Sequence, residues 1–416
     1  MLPRRVGNLG RNTVYTTVAL GLRAVMQAAY LILLSRVMGP NEYGLFAGSV
    51  AAAVLLAPLS GWGVSMLVSE RVGKHAHESR SMWAGALAQT TWSGGLLSIA
   101  VLIAVMALPD RLAPGPMTLL VLSELLLVPM TQAASTLMLA LGRGAAGASV
   151  VCLIPAFRLL FVGAWIVAVG DLHGSSAAVM HVFGSIVGAI VVMLIVRRVV
   201  GAGAWAGRPT IREMFARGKA YAFGMLVGAA YTEVDKVLLL QLANATVAGL
   251  YTAAFRVAAV FAIPVSALTA NALPRLFAAA GTHDWPRIFR AVAAASAAYA
   301  IGIAVVAFAL AGFMPLVFGA EFAKSTEYLR LLCPWIVLYA AHIVLATALT
   351  SLGRQHLRVV IEAVGLALVI GINVALIPSY GARAAAFALL ATDATVALAC
   401  AIALLRVVRQ SRPQTR

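Results

Sequence analysis

Charge is scarce in this chain of 416 residues: Lys and Arg number 31, Asp and Glu only 14, and together they make up 11%. A soluble globular domain carries about 25%, and so few charges cannot cover the surface of a molecule this size, so that class is excluded. Disorder is excluded too, because 62% of the residues are apolar and disordered chains are poor in such residues. The 36 glycines follow no Gly-X-Y period, which removes a collagen-like chain. Cysteine is rarer still. Cys152, Cys333 and Cys400 show neither CxxC nor metal-ligand spacing and read as small buried hydrophobes. No HExxH, Walker A, GxSxG or paired-carboxylate motif is present, so nothing points to an enzyme, a cofactor or a metal.

What the chain has in abundance is long apolar runs. A bilayer core about 30 Å thick needs roughly 20 mostly apolar residues per helix, and twelve such runs occur: 12–35, 44–67, 82–107, 116–140, 147–169, 174–198, 218–241, 248–272, 287–312, 328–350, 357–377 and 382–405. We refer to them as spans 1 to 12. The first is too long for a signal-peptide core, holds Arg23 at its centre and lacks a small-residue cleavage site, so it is expected to be retained. The fold class is therefore all-α polytopic membrane protein with twelve transmembrane helices.

The excess of basic residues, +17 in net charge, would suggest nucleic acid in a soluble chain. Its distribution says otherwise. With the N-terminus in the cytoplasm, 22 of the 31 Lys and Arg fall in cytoplasmic tails and loops and 5 in outer loops. That bias predicts both termini in the cytoplasm of a multi-pass membrane protein. The remaining four, Arg23, Arg158, Lys236 and Arg256, lie within spans.

The sequence also repeats. Gly44-Leu45-Phe46 after span 1 matches Gly249-Leu250-Tyr251 after span 7, Leu141-Gly142-Arg143 matches Leu352-Gly353-Arg354, and Pro58 matches Pro264. The offsets lie near half the chain length, which predicts a duplicated six-helix unit whose copies are related by a pseudo-two-fold axis along the membrane normal. The expected lobes are 1–198 and 218–416, joined by a basic cytoplasmic linker over 199–217. In the linker, Thr210 and Glu213 form a capping-box pattern ahead of Met214 and Phe215, which reads either as a short amphipathic helix at the membrane surface or as an unstructured basic segment.

Ionisable groups inside a bilayer cost about 2.5–3.5 kcal/mol each on insertion scales, so they are kept for pairing, for a wet cavity or for function. Span 1 places Asn12, Thr16, Arg23, Gln27 and Tyr30 on one helical face. Arg158 sits equally deep in span 5 and Arg256 in span 8, while Lys236 is close enough to the outer end of span 7 to snorkel or to pair with Glu233. These four cations suggest a central cavity suited to phosphate or carboxylate. The spans also hold the acids Glu124, Glu233, Asp235, Glu362 and Asp393. Glu362 is expected to be solvated, and Asp393 either to pair with a buried arginine or to carry protons.

Residues 36–68, RVMGPNEYGLFAGSVAAAVLLAPLSGWGVSMLV, and 231–277, with "DK-LLL" and "GLY-x-AFR", resemble the oligosaccharide flippase group of the multidrug/oligosaccharidyl-lipid/polysaccharide exporter superfamily. The resemblance implies two six-helix lobes in a V-shaped, alternating-access transporter. It implies a substrate, undecaprenyl-pyrophosphate-linked oligosaccharide, moved from the cytoplasmic to the periplasmic leaflet of the bacterial inner membrane for O-antigen, capsule, exopolysaccharide or lipopolysaccharide assembly. A polysaccharide polymerase and other assembly proteins would be partners, and nucleic acid would not. By helix position, cavity arginines of related flippases correspond to Arg23 and Arg256. Arg158 and Lys236 are further candidates for the pyrophosphate, Asn12, Thr16, Gln27 and Tyr30 for the polar cavity face, and Asp393, Asp235 and Glu124 for ion coupling. The chain has twelve spans where some members have fourteen, and in those members the extra pair forms the lipid-tail groove. A cation-coupled multidrug antiporter of the same superfamily is the alternative, and a membrane-embedded polysaccharide polymerase or ligase a more remote one.

Overall fold

The computed structural model describes residues 3–106, 112–201 and 208–410, with backbone alone at residues 3–18, 20, 105 and 220. Among the described residues every regular element is helical. In chain order they are α1 (Pro3–Gly61), α2 (Val64–Lys74), α3 (Ser79–Met106), α4 (Pro114–Leu122), a π-turn (Ser123–Leu127), α5 (Val128–Ala140), α6 (Gly144–Val169), α7 (Gly174–Val200), α8 (Ile211–Leu242), α9 (Ala245–Ala279), α10 (Trp285–Leu310), α11 (Met314–Phe318), α12 (Ser325–Ser351), α13 (Gln355–Tyr380) and α14 (Ala382–Gln410).

Among the described residues, ten helical stretches are long and apolar enough to cross a membrane. The first, Gly21–Lys74, has 54 residues; at 1.5 Å per residue it is about 80 Å long, more than twice the hydrocarbon thickness, and must supply two spans. The break is Gly39, whose φ of 69° and ψ of 173° interrupt the helix. Pro40 follows, in a position where its fixed φ suits a helix start. The twelfth span is α8, 32 residues long but diluted by Glu233, Asp235 and Lys236. Among the described residues, each of the twelve expected runs lies mainly in helix.

The GP-x-EYG stretch now has a physical role. Gly39 supplies the positive φ, Glu42 accepts a hydrogen bond from the Gly174 amide at 2.7 Å and so ties the start of span 2 to the start of span 6, and Tyr43 is buried. The repeated Leu-Gly-Arg turns are equally specific. Gly142 (φ 73°) and Gly353 (φ 74°) both end a helix in the left-handed region. Arg143 N–H donates to Met138 C=O and Gly142 N–H to Leu139 C=O, both at 2.9 Å, while Arg354 donates to Leu349 and Gly353 to Thr350, both at 3.0 Å. This is the same Schellman cap twice.

By internal contacts the chain divides into two compact units, Met1–Val237 and Leu238–Arg416. The first packs Leu67 and Val68 of α2, Met82 and Trp83 of α3, Leu137 of α5 and Val192 of α7 into one core. The second packs Leu276 of α9, Trp285 of α10, Leu349 of α12 and Cys400 of α14. Large apolar side chains such as Ile103, Val167 and Leu398 point outward, as expected where the solvent is hydrocarbon.

The stretch after Thr210, read in the sequence either as a short amphipathic helix or as an unstructured basic segment, forms the first turns of α8, continuous with span 7. Its capping pattern forms: Glu213 N–H donates to Thr210 Oγ1 at 3.2 Å. The Glu213 carboxylate turns to Arg71 at 2.9 Å, and Trp62 Nε1 donates to the Phe215 carbonyl at 3.1 Å. Gly63 and Gly218 allow the backbones to touch, since a Cβ on Gly63 would lie 2.6 Å from the Gly218 carbonyl. These contacts hold the start of α8 against the α1/α2 junction.

Candidate functional site

In the first unit the buried charges are assembled by backbone features that the local sequence dictates. Pro129 has no N–H to give the Leu125 carbonyl four residues earlier. The helix widens there into the π-turn, and Ser60 Oγ of α1 donates to the Leu125 carbonyl instead. Glu124 sits in that turn, buried. Across from it, Gly184 and Gly188 of α7 form a small-xxx-small pair on which α6 rests. A Cβ on Gly184 would lie 2.6 Å from the Arg158 Cα, and one on Gly188 would lie 3.0 Å from the Ile154 Cα. This close approach places Arg158 between spans 4 and 6.

The resulting network is continuous. Arg158 donates to Glu124 Oε1 at 2.5 Å and, through Nε, to Ser185 Oγ at 2.9 Å. His181 Nε2 lies 2.7 Å from the same Glu124 oxygen, and its Nδ1 lies 2.7 Å from the Tyr30 hydroxyl. A neutral imidazole satisfies both contacts if Nε2 donates to the carboxylate and Nδ1 accepts from the phenol. Phe46 packs its edge on the imidazole at 5.5 Å. One Arg, one Glu and three neutral partners make a charge-balanced set joined by hydrogen bonds, a form in which ionisable groups are tolerated in lipid.

The expected polar face of span 1 is divided by this network. Tyr30 is buried and committed to His181, whereas Arg23 is half-buried and Gln27, one turn on, is exposed. Arg23 is within electrostatic reach of Glu124 and Arg158, yet no carboxylate among the described residues is at ion-pair distance from it. The side chains of Asn12 and Thr16 lie outside the described residues.

The second unit has its own network. Asp393 on α14, fully buried, accepts from Trp335 Nε1 and contacts His342 Nδ1, both at 2.6 Å. His342 Nε2 lies 3.6 Å from Glu362, which Arg358 holds at 2.7 Å. Two sequence expectations are corrected here. Asp393 meets an imidazole and an indole rather than a buried arginine, and Glu362 is drawn into the helix bundle by Arg358 and His342 rather than solvated. Arg256 sits half-buried on α9, in the second unit, while Arg23 belongs to the first.

Lys236 is also placed differently from expectation. It is fully buried and cannot snorkel, and its ammonium meets Asp235 at 2.9 Å and the Thr232 carbonyl. The adjacent acid, Asp235, is an ion-pair partner of Lys236. No group of three or more His, Cys, Asp or Glu able to hold a metal occurs among the described residues.

His181 and His342 are absent from the sequence candidates, which comprise the charged residues of the spans and the polar face of span 1. The signal was available, because a histidine in the middle of a span is an ionisable group in lipid like any other.

The two networks are related by the duplication. At the offset of 211 set by the Leu-Gly-Arg turns, Trp335 takes the place of Glu124, and at 212 Asp393 takes the place of His181. Each half thus buries one acid against a ring N–H across the fourth and sixth spans of its six, with acid and donor exchanged.

The sequence profile of the family described as polysaccharide biosynthesis protein matches residues 9–280, more than half of the chain. The chain belongs to the polysaccharide biosynthesis protein family. The family's fold in this member is that of transporters of the MOP superfamily. An inward-facing multidrug resistance MATE family transporter of that superfamily aligns with TM-score 0.77 at 13% identity, covering 96% of this chain and 100% of the other. An outward-facing MATE family transporter aligns with TM-score 0.66 at 11% identity, covering 97% and 95%. A MOP superfamily transporter from Pyrococcus furiosus, described as having a binding pocket of reversed polarity that suggests a different function, aligns with TM-score 0.68 at 14% identity over 97% and 95%. No protein of curated function matches in sequence.

Proposed function

We propose that this member of the polysaccharide biosynthesis protein family is a flippase. It carries undecaprenyl-pyrophosphate-linked oligosaccharide from the cytoplasmic to the periplasmic leaflet of the bacterial inner membrane, by alternating access of two lobes, 1–198 and 218–416, with both termini in the cytoplasm. The observation that carries this reading is Arg23: a guanidinium in the middle of a spanning helix, half-accessible, beside the exposed Gln27 and without a carboxylate at ion-pair distance among the described residues. A cation so placed is costly in lipid unless an anion visits it, and a pyrophosphate suits the bidentate fork of arginine.

In this scheme Arg23 and Arg256 bind the pyrophosphate. Arg158 and Lys236, each held by an acid, shape the potential around it. Gln27 meets sugar hydroxyls, and Tyr30 positions the network behind it, with Asn12 and Thr16 continuing the polar face. Asp393, Asp235 and Glu124 are the candidates for ion coupling. Polysaccharide polymerase and related assembly proteins act on the product.

The test is export of lipid-linked polysaccharide in cells complemented with Arg23→Ala or Arg256→Ala. Export should be lost in both while a fluorescent fusion shows normal membrane levels. Wild-type export by both variants would refute the scheme. The likeness in fold to multidrug resistance transporters supports a second reading, antiport of drugs. A hydrophobic cation would be repelled by Arg23, and drug resistance on overexpression without accumulation of lipid-linked sugar on deletion would favour that reading instead.

A further inference from the structure

In the second unit the first turns of α13 and the last turns of α14 lie side by side and enclose a groove of about 470 Å³. Its lining has two chemically distinct ends. Arg354, His356 and Arg406 form one, and Leu357, Ile361 and Ile402 belong to the other. Among the described residues no carboxylate lines it. Glu362, the acid next to Ile361, is held by Arg358 at 2.7 Å. Arg354 and Arg406 are exposed and form no ion pair among the described residues.

The change from charge to hydrocarbon has the scale of a lipid. Seven residues separate Arg354 from Ile361 on α13 and Arg406 from Ala399 on α14, about 10 Å of helix in each case. The charged end lies where the excess of basic residues places the cytoplasmic surface. The open side carries the exposed Ile402 and Leu405.

We propose that this groove binds an anionic phospholipid, with its phosphodiester between Arg354 and Arg406 and the first part of one chain along Ile361 and Ile402. Two guanidinium groups on separate helices can each offer paired N–H donors to one phosphate. The adjoining apolar wall distinguishes a lipid from a free anion, and the excess of positive charge favours a lipid of net negative charge. The site does not depend on what the protein transports.

The chain supplies its own control, since Arg143 follows the same Schellman turn in the first unit. Full-length protein in neutral detergent is titrated with phosphatidylglycerol, and retained lipid is measured by native mass spectrometry. Wild type should hold one phosphatidylglycerol at this site. Arg354→Ala combined with Arg406→Ala should weaken its retention at least about tenfold, and Arg143→Ala should leave it unchanged. Ile402→Trp fills the apolar end without touching the charges and should give the same loss, which keeps the test decisive if the double variant does not fold. Undiminished retention in both the double variant and Ile402→Trp would overturn the proposal. Equal binding of phosphatidylcholine, an equal loss in Arg143→Ala, or displacement by millimolar inorganic phosphate would overturn it as well, the last by making the ligand a free anion.

Discussion

The pair of Glu124 and Arg158 is the sharpest point at which the architecture can be tested. Their side chains are 4% and 14% exposed, and they meet at 2.5 Å. Glu124→Gln preserves shape and an amide oxygen that can accept from Arg158 but removes the counter-charge of a largely buried cation, and stranding one partner of a buried ion pair costs about 3–5 kcal/mol. Arg158→Met strands the carboxylate, with His181 still donating to it, so its expected cost is smaller, about 2–3 kcal/mol. Removing both charges together strands nothing, and such neutral replacements are often close to harmless. The double variant should therefore be more stable than the sum of the singles by at least about 2 kcal/mol, the upper range of couplings between contacting residues. Equilibrium unfolding in mixed micelles of neutral detergent and sodium dodecyl sulfate gives the four free energies of the cycle. Additivity within about 0.5 kcal/mol would show that the two groups do not interact and would dismantle the network built on them.

Two other substitutions probe the elements around the networks. Asp393→Asn puts an amide where both Trp335 and His342 need an acceptor and should cost about 1–3 kcal/mol in the same unfolding assay; an unchanged stability would mean that neither ring depends on the carboxylate. Gly184→Ala should lower the thermal midpoint in detergent, because its Cβ would lie 2.6 Å from the Arg158 backbone and overpacking costs about 1–3 kcal/mol. Gly95→Ala, which meets nothing within 4 Å, should stay within about 0.5 kcal/mol of wild type, and equal losses in the two would remove the glycine contact between α6 and α7 as a cause.

Hydropathy located all twelve spans because the bilayer imposes one length on every crossing, and the Leu-Gly-Arg repeat was legible because a Schellman cap needs glycine at one position. The side-chain network was not legible for a different reason. Glu124 and His181 are 57 residues apart, and His342 and Asp393 are 51 apart; no local period connects them. Glu362 near a helix end reads as solvated until Arg358 and His342 are seen to face it. Lys236 near an outer boundary reads as snorkelling until its full burial beside Asp235 is seen. The π-turn that aims Glu124 is a response to Pro129, and a proline in an apolar run announces a distortion without giving its direction.

The exchange of acid and donor between the halves has an electrostatic consequence. Placing either half's residue alone into the other half would bury two acids face to face or two ring donors without an acceptor, so acid and donor are interchangeable only as a pair. In the first half the acid rides on span 4 and in the second on span 12. Protonating these carboxylates would release a contact of span 4 in the first half and of span 12 in the second, which are not equivalent positions.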